Sequence, residues 1–453
     1  MQTKTAVALP RDIDADLDAW LKPFLDVTGR KTRRAMAPLY VRGLLGGGER
    51  KSIQPMAERL GLPGHDQLHH FISSSAWDDA PLWRVLAEQA DRTVGGADAV
   101  LMVDDTGLPK KGELSVGVAP QYCGAVGKTT NCQVLVSLTL AHGEVPVPVG
   151  LQLFLPAEWG NDLKRCAAAG VPEALRAARR KPAIALAEID RLIAAGVRFG
   201  CVLADAGYGA SPDFRRGLDK RGLAWAVGVA CTQLVYPTTV RLRPSLTPTG
   251  RPAKHPVPSR PPGSAAELLE TQRWQRITWR SGTKGPLSAR FAAFRVRVAD
   301  GPRNADNTRL PGDEVWLVGE WRDSGEKKYY LSNLPRRTTL RRLAATVKAR
   351  WSCEQVHQQL KQELGLADFE GRSWTGLHRH ALMTCIAFAY LQHRRLKAAG
   401  RGKKVNPNGP PPQPSLPEIR RAISAKLFAP PPIPYRCPHC HRQLPHHPSK
   451  VSR

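Results

Sequence analysis

Two short apolar runs that end in carboxylates limit the fold of this chain most strongly. Residues 99–103 (AVLMV) run into Asp104-Asp105, and residues 199–204 (FGCVLA) run into Asp205-Ala206-Gly207. Runs this short and this apolar read as strands of a covered sheet. Acids at the carboxyl ends of parallel strands face the crevice where α/β sheets bind ligands. If the two strands are neighbours, their backbones lie about 4.8 Å apart. Asp104 and Asp205 can then share a hard cation. Successive side chains leave a strand on opposite faces, so Asp104 and Asp105 cannot normally both face that site.

Around these runs the hydropathy changes period. Residues 11–95 carry helical spacing. Within them Ile53, Met56, Ala57 and Leu60 form one apolar face, and Gly61-Leu62-Pro63-Gly64 breaks it. A second helix turns Leu68, Phe71 and Ile72 inward and Gln67, His69 and His70 partly outward. This pattern suits a helix-turn-helix docked in a DNA groove, or an ordinary αα-hairpin. Residues 134–140 and 145–155 are strand-like runs joined at His142-Gly143, as in a hairpin. An Ala-rich helix is expected over 172–196, another near 211–221, and a strand over 224–230. The order predicts an α/β fold with a mixed sheet. Residues 235–335 interrupt it with a Pro-rich stretch and the alternating segments RITWRSG, ARFAAFRVRV, EVWLVGEW and KKYYLSNL, read as a separate antiparallel insertion. Helices follow over 339–365 and 375–398.

The helix over 339–365 offers a third acid. At 100° per residue, Arg350, Glu354, His357 and Lys361 fall within about 60° of one another, with Trp351, Val356 and Leu360 as the buried anchor. Asp104, Asp205 and Glu354 present oxygen alone, a donor set that prefers Mg²⁺ or Mn²⁺ to Zn²⁺. Arg350 and Lys361 are donors that cannot ligate a cation, so beside a metal they imply an anion. The charge balance points to the same partner. The 453 residues include 67 Lys and Arg against 39 Asp and Glu, a net +28. Residues 371–453 hold fifteen of the bases and a single acid, Glu418. Such density selects a polyanion, and double-stranded DNA is the leading candidate. A membrane surface would call for an amphipathic helix with a Trp or Phe face, which the sequence lacks. Bases all round, with acids only where cations are needed, describe a metal-dependent DNA nuclease.

At this point the motifs match a family. Residues 104–112 (DDTGLPKKG), the segment SVGVAPQYCGAVGKTTNCQVLVSLTL, VLADAGYG at 202–209 and KQELGLADFEGRSWTGLHRHALM resemble the DDE transposases of bacterial insertion sequences. The nearest group is insertion-sequence family seven-hundred-and-one. The resemblance covers roughly residues 35–400. It implies an RNase H-like mixed sheet of the retroviral-integrase type, interrupted by a β-rich insertion. It carries the three catalytic, metal-binding acids over to Asp104, Asp205 and Glu354, and prefers Asp104 to Asp105 because the pattern is Asp-any-Thr. A related signature of Tyr, Arg, Glu and Lys places Arg350 and Lys361 around Glu354, but Val347 stands where Tyr belongs. The expected DNA contacts are Arg350, Lys361, Lys110, Lys111, His357 and Arg379. The expected partners are terminal inverted repeats, target DNA and a second copy when two ends are held together. The divisions are then a helical DNA-binding domain at 1–95, the first part of the catalytic core at 96–234, the insertion at 235–335, the helical completion of the core at 336–400 and a Pro-rich basic tail at 401–453. A catalytically inactive DNA-binding repressor and another RNase H-like nuclease stay open.

Lesser signals complete the reading. No apolar stretch approaches the 18 residues of a membrane span, and the acidic N-terminus is unlike a signal peptide, so a cytoplasmic, nucleoid-associated protein is expected. Nine cysteines are scattered, with Cys123, Cys132, Cys201, Cys231, Cys353 and Cys385 read as buried thiols. Cys437 and Cys440, with nearby histidines, are a weak structural Zn²⁺ candidate. Gly46-Gly47-Gly48 is a linker, not a phosphate loop. Trp274, Trp279, Trp316 and Trp321 are expected to pack the insertion.

Overall fold

Strand β1 (Val100–Pro109) is an inner strand of the sheet that organises the molecule. In the computed structural model, residues 7–48, 50–244, 255–304, 306–400 and 409–428 are described. β1 pairs antiparallel with β3 (Lys128–His142), which pairs antiparallel with both β2 (Ala119–Cys123) and β4 (Val145–Leu153). Gly143, at φ +56°, allows the tight turn between β3 and β4 that His142-Gly143 predicts. On its other edge β1 pairs parallel with β5 (Cys201–Ala204), and β5 pairs parallel with β6 (Trp225–Val229). β3 is buried without interruption from Cys132 to Ala141. Such a run needs cover on both faces, which explains why its apolar residues do not alternate.

The cover comes from helices before and after the sheet in sequence. The helix Trp374–Ala398 is buried on nearly every side. It packs on β4 and on helices Lys31–Leu45 and Ala80–Val94, which makes it the pillar between the N-terminal helices and the sheet. Tyr40 Oη lies 2.8 Å from His380 Nδ1 across this junction. Helix Ile53–Arg59 and the segment 66–74 meet as expected, with Met56, Ala57, Leu68, Phe71 and Ile72 buried and Gln67, His69 and His70 exposed. The second helix is one α turn, Asp66–His69, that widens into a π turn, His70–Ser74.

Three expectations need correction. The helix over 172–196 is confined to Lys181–Ala194, because Pro182 in its first turn has no N–H to bond a helix continued further back, and Glu173–Leu175 forms only a separate 3-10 turn. The single helix over 339–365 is two, Leu340–Ala349 and Trp351–Gln362, meeting at Arg350. The insertion is not a separate sheet. Lys327–Ser332 pairs antiparallel with β6, followed outward by Glu314–Trp321 and Gly285–Val298, so its strands extend the sheet. The tryptophans do pack there: Trp279 meets Phe291 edge-on at 5.9 Å, and Trp274 meets Trp321 at 5.8 Å.

Residues 409–428 are docked on the body. Helix Leu416–Leu427 buries Leu416, Ile419 and Ile423, and Arg420 Nε donates to Glu363 at 2.5 Å. Cys437 and Cys440 lie outside the described residues. No helix among the described residues is long and apolar enough to cross a membrane.

Candidate active site

The parallel pairing of β1 and β5 sets two acids at one level. Val103 is in register with Ala204, so Asp104 and Asp205 both follow directly on the last paired positions. Asp205 caps the short turn Ala206–Gly209, its Oδ1 accepting from Tyr208 N at 3.2 Å. A Cβ on Gly209 would meet the carbonyl oxygen of Gly228 at 1.9 Å, so that turn can lie on β6 only with glycine there. Glu354 arrives from helix Trp351–Gln362. A cleft of about 670 Å³ is lined by all three acids together with Thr106, Arg350, His357 and Lys361.

Asp104 and Asp105 leave their strand on opposite sides. Asp105 Oδ2 accepts from Lys181 Nζ at 2.6 Å, and its Oδ1 accepts from Tyr208 Oη at 2.6 Å. Asp104 instead turns toward Glu354. Arg350 joins them, with Nη1 donating to Asp104 Oδ2 at 2.5 Å and Nη2 to Glu354 Oε1 at 2.6 Å. Burial pushes the Asp104 carboxyl up to about 7, against the pull of Arg350 and with a further push from Asp205. Burial also raises Asp205. Burial thus favours the neutral acids here, and a cation bound beside them would favour their charged forms. The hydroxyl of Thr106, also in the cleft, is buried with no hydrogen-bond partner among the described residues. This donor set is all oxygen, the kind a hard divalent cation takes, but the three carboxylates do not all stand within 4.8 Å of one another in this structure.

The cations expected at DNA divide into two groups. Arg350 and Lys361 line the cleft, and Lys361 has no hydrogen bond or ion pair to its amine among the described residues. Lys111 is exposed. Lys110 is half-buried and donates to the Phe369 carbonyl at 2.5 Å. His357 and Arg379 contradict the expectation. His357 is buried, its Nε2 lies 2.7 Å from Ser137 Oγ, and burial pushes it down to about 3, so it is a neutral interior ring. Arg379 is buried over the Trp77 ring at 4.3 Å and donates to the carbonyls of Ile72 and Trp77, tying the N-terminal helices to the pillar. Trp351 is not part of the anchor either. It is half-exposed, and Ser352 and Cys353 are buried beside Val356 and Leu360 in its stead. Val347 is buried on the insertion side. Cys231 is exposed, unlike the other thiols named above.

Residues 23–286 match the family described as DDE superfamily endonuclease, more than half of the chain. The chain belongs to this family. It is also 31% identical over 191 residues to a protein of Microchaete diplosiphon described as a probable transposase for insertion sequence element IS701. The matched segment is 41% of this chain and 46% of that protein, so the chain spans a little under half the length of this relative. Within this DDE superfamily protein, Asp104 and Asp205 fall inside the family match and Glu354 lies beyond it.

The DDE superfamily chain also contains site neighbours that sequence reasoning missed. A second cleft of about 960 Å³ shares Asp205, Arg350 and Glu354 and runs along the insertion past Trp279, Lys328 and Tyr330. Glu320, almost fully buried, accepts from Lys348 at 2.6 Å, Arg322 at 3.0 Å and Tyr330 Oη at 2.9 Å. The alternation of EVWLVGEW does place Glu320 on one face, but nothing local says that face is covered. Ser137, opposite Asp104 in the β1–β3 register, and Cys353 were passed over as ordinary core.

Proposed function

We propose that the protein is a DNA transposase that binds the terminal inverted repeats of its element, cuts DNA there and joins the ends to a target. Asp104, Asp205 and Glu354 are its catalytic acids, and Mg²⁺ or Mn²⁺ is the cation they hold. The observation that carries this reading is the convergence of these acids on one cleft bordered by Arg350 and Lys361. The strand order supports an RNase H-like core, with β4, β3 and β1 antiparallel and β1, β5 and β6 parallel.

Bound there, a divalent cation supplies Lewis-acid stabilisation of phosphoryl transfer and lowers the pKa of attacking water. The chain's own groups do the rest. Asp104 and Asp205 each follow directly on a paired strand and accept a backbone N–H. Glu354 is half-exposed and is held by Arg350. Arg350 holds Asp104 and Glu354 together and offers a planar fork to a phosphate that enters the cleft. Lys361 adds a point charge about two turns beyond Glu354. The exposed faces of the N-terminal helices and those basic residues beyond 371 that the fold itself does not pair carry the remaining DNA contact.

The test is incubation of the full chain with Mg²⁺ and labelled element ends. Cleaved and joined products are expected from the wild type. Asp104→Ala, Asp205→Ala and Glu354→Ala should each lose both while keeping end binding within a few-fold, because phosphate contacts carry most of the affinity. Binding without either product would mark a repressor, and cleavage without joining another nuclease.

A further inference from the structure

Cys353 and His357 are used neither by the oxygen cluster nor by the groups that face phosphate, yet both border Asp104. They stand one turn apart on the inner side of helix Trp351–Gln362, and both are buried. Cys353 Sγ is 3.6 Å from His357 Nε2. One ligand atom from each of Asp104, Cys353 and His357 lies within 4.8 Å of the others. A tetrahedral Zn²⁺ takes sulfur at about 2.3 Å and nitrogen or oxygen at about 2.0–2.2 Å, which sets neighbouring donors about 3.4–3.6 Å apart. The sulfur and the imidazole already stand at that spacing. A supporting group is present as well. Thr139 Oγ1 lies 3.7 Å from Cys353 Sγ, and Ser137 Oγ, which donates to the Asp104 carbonyl at 3.1 Å, sits on the same His357 nitrogen and is the group a metal displaces. The cleft reaches Asp104 and His357, with Cys353 directly behind them.

We propose that Asp104, Cys353 and His357 form an inhibitory site for Zn²⁺ and similar borderline metals. Binding makes one bond each to sulfur, nitrogen and oxygen, sends the Cys353 thiol proton to solvent, shifts the His357 ring proton from Nε2 to Nδ1 and replaces the His357–Ser137 hydrogen bond. It draws Asp104 out of the all-oxygen cluster. Mg²⁺ does not occupy this site, because it demands octahedral oxygen and disfavours thiolate, and the two metals oppose each other only through the shared Asp104. The inhibitory consequence rests on the proposed role of Asp104; the binding itself does not.

Co²⁺ is the probe, since its tetrahedral thiolate complexes absorb where Zn²⁺ is silent. The full chain carrying Cys437→Ser and Cys440→Ser is titrated with Co²⁺, so that the tail thiols contribute nothing. One equivalent should bring up a sulfur-to-cobalt charge-transfer band and intense visible bands, both removed by Zn²⁺. The charge-transfer band should be missing in Cys353→Ser and Cys353→Ala, and the visible bands should weaken in His357→Gln. No band in the parent, or a band kept in both Cys353 variants, overturns the site. In Mg²⁺-dependent DNA cleavage, Cys353→Ser should tolerate at least about tenfold more Zn²⁺ than the parent. Equal sensitivity overturns the inhibitory role. A parent inactive with Mg²⁺ alone overturns the functional reading and the inhibition with it, while the cobalt spectrum still decides the site.

Discussion

Arg350 is the residue on which the site's charges balance. It is mostly buried, it bridges Asp104 and Glu354, and its side chain is the nearest internal substitute for a cation. Burial disfavours its charge, but Asp104, Glu354 and Asp205 outweigh that and raise its pKa. An exposed Arg–Glu pair at i,i+4 contributes only about 0.3–0.5 kcal/mol. A guanidinium shared between two acids in a cleft does more, because it holds both at the distance at which a metal or a phosphate must be met. Arg350→Ala should therefore lower end cleavage by about tenfold or more, at about 1.4 kcal/mol per factor of ten. Arg350→Lys should recover part of it, since an ammonium cannot reproduce the two-pronged geometry. Single-turnover cleavage with labelled ends checks both. Wild-type rates in a folded Arg350→Ala protein would reduce Arg350 to a structural partner.

The element that aims Arg350 is the broken helix 340–362. Leu340–Ala349 is capped by Thr339, whose hydroxyl accepts from Arg342 N at 3.2 Å. Lys348, in its last turn, reaches Glu320 on the insertion strand Glu314–Trp321 and lies 5.1 Å above the Trp279 ring. The insertion thus holds the helix two residues before the break. Glu320 is buried with three donors, and removing such an acid strands the buried charges it served. Glu320→Ala should destabilise the fold by about 3–5 kcal/mol, read by urea denaturation. A loss near zero would show that the network is not what seats the helix.

At the scale of the whole molecule, the positive charge is not spread over a free tail. Arg394 is paired with Asp16, Arg420 with Glu363, and Lys426 donates to the Pro10 carbonyl, so part of the basic C-terminal stretch fastens the chain's two ends together. A truncation that tests phosphate contact must spare the docked helix and begin after Phe428. Residues 429–453 contain Arg436, Arg442, Lys450 and Arg453 and no acid. If all four meet phosphate, their removal should flatten the slope of log affinity against log salt by about 3.6. Specific and random duplexes should weaken alike. Fluorescence anisotropy over a salt series measures it, and an unchanged slope would remove the tail from the interface.

The amino-acid sequence by itself determined the elements and their acids. Apolar runs, alternation and helix breakers are local properties, so β1, β3, β4, β5 and β6, the Gly143 turn and the positions of Asp104, Asp205 and Glu354 could be read from neighbours in the chain. Helical periodicity also placed Arg350, Glu354, His357 and Lys361 on one face. What periodicity cannot tell is what lies across from that face. Only the tertiary structure decided that Asp104 meets Arg350 while Asp105 is held by Lys181 and Tyr208. It turned His357 into a buried ring against Ser137 and Arg379 into a strut over Trp77, and it left Trp351 in the open. It also set Cys353 beside an acid 249 positions earlier in the sequence. Those outcomes depend on which strand, helix or solvent covers each surface, and that cover is supplied by residues hundreds of positions away.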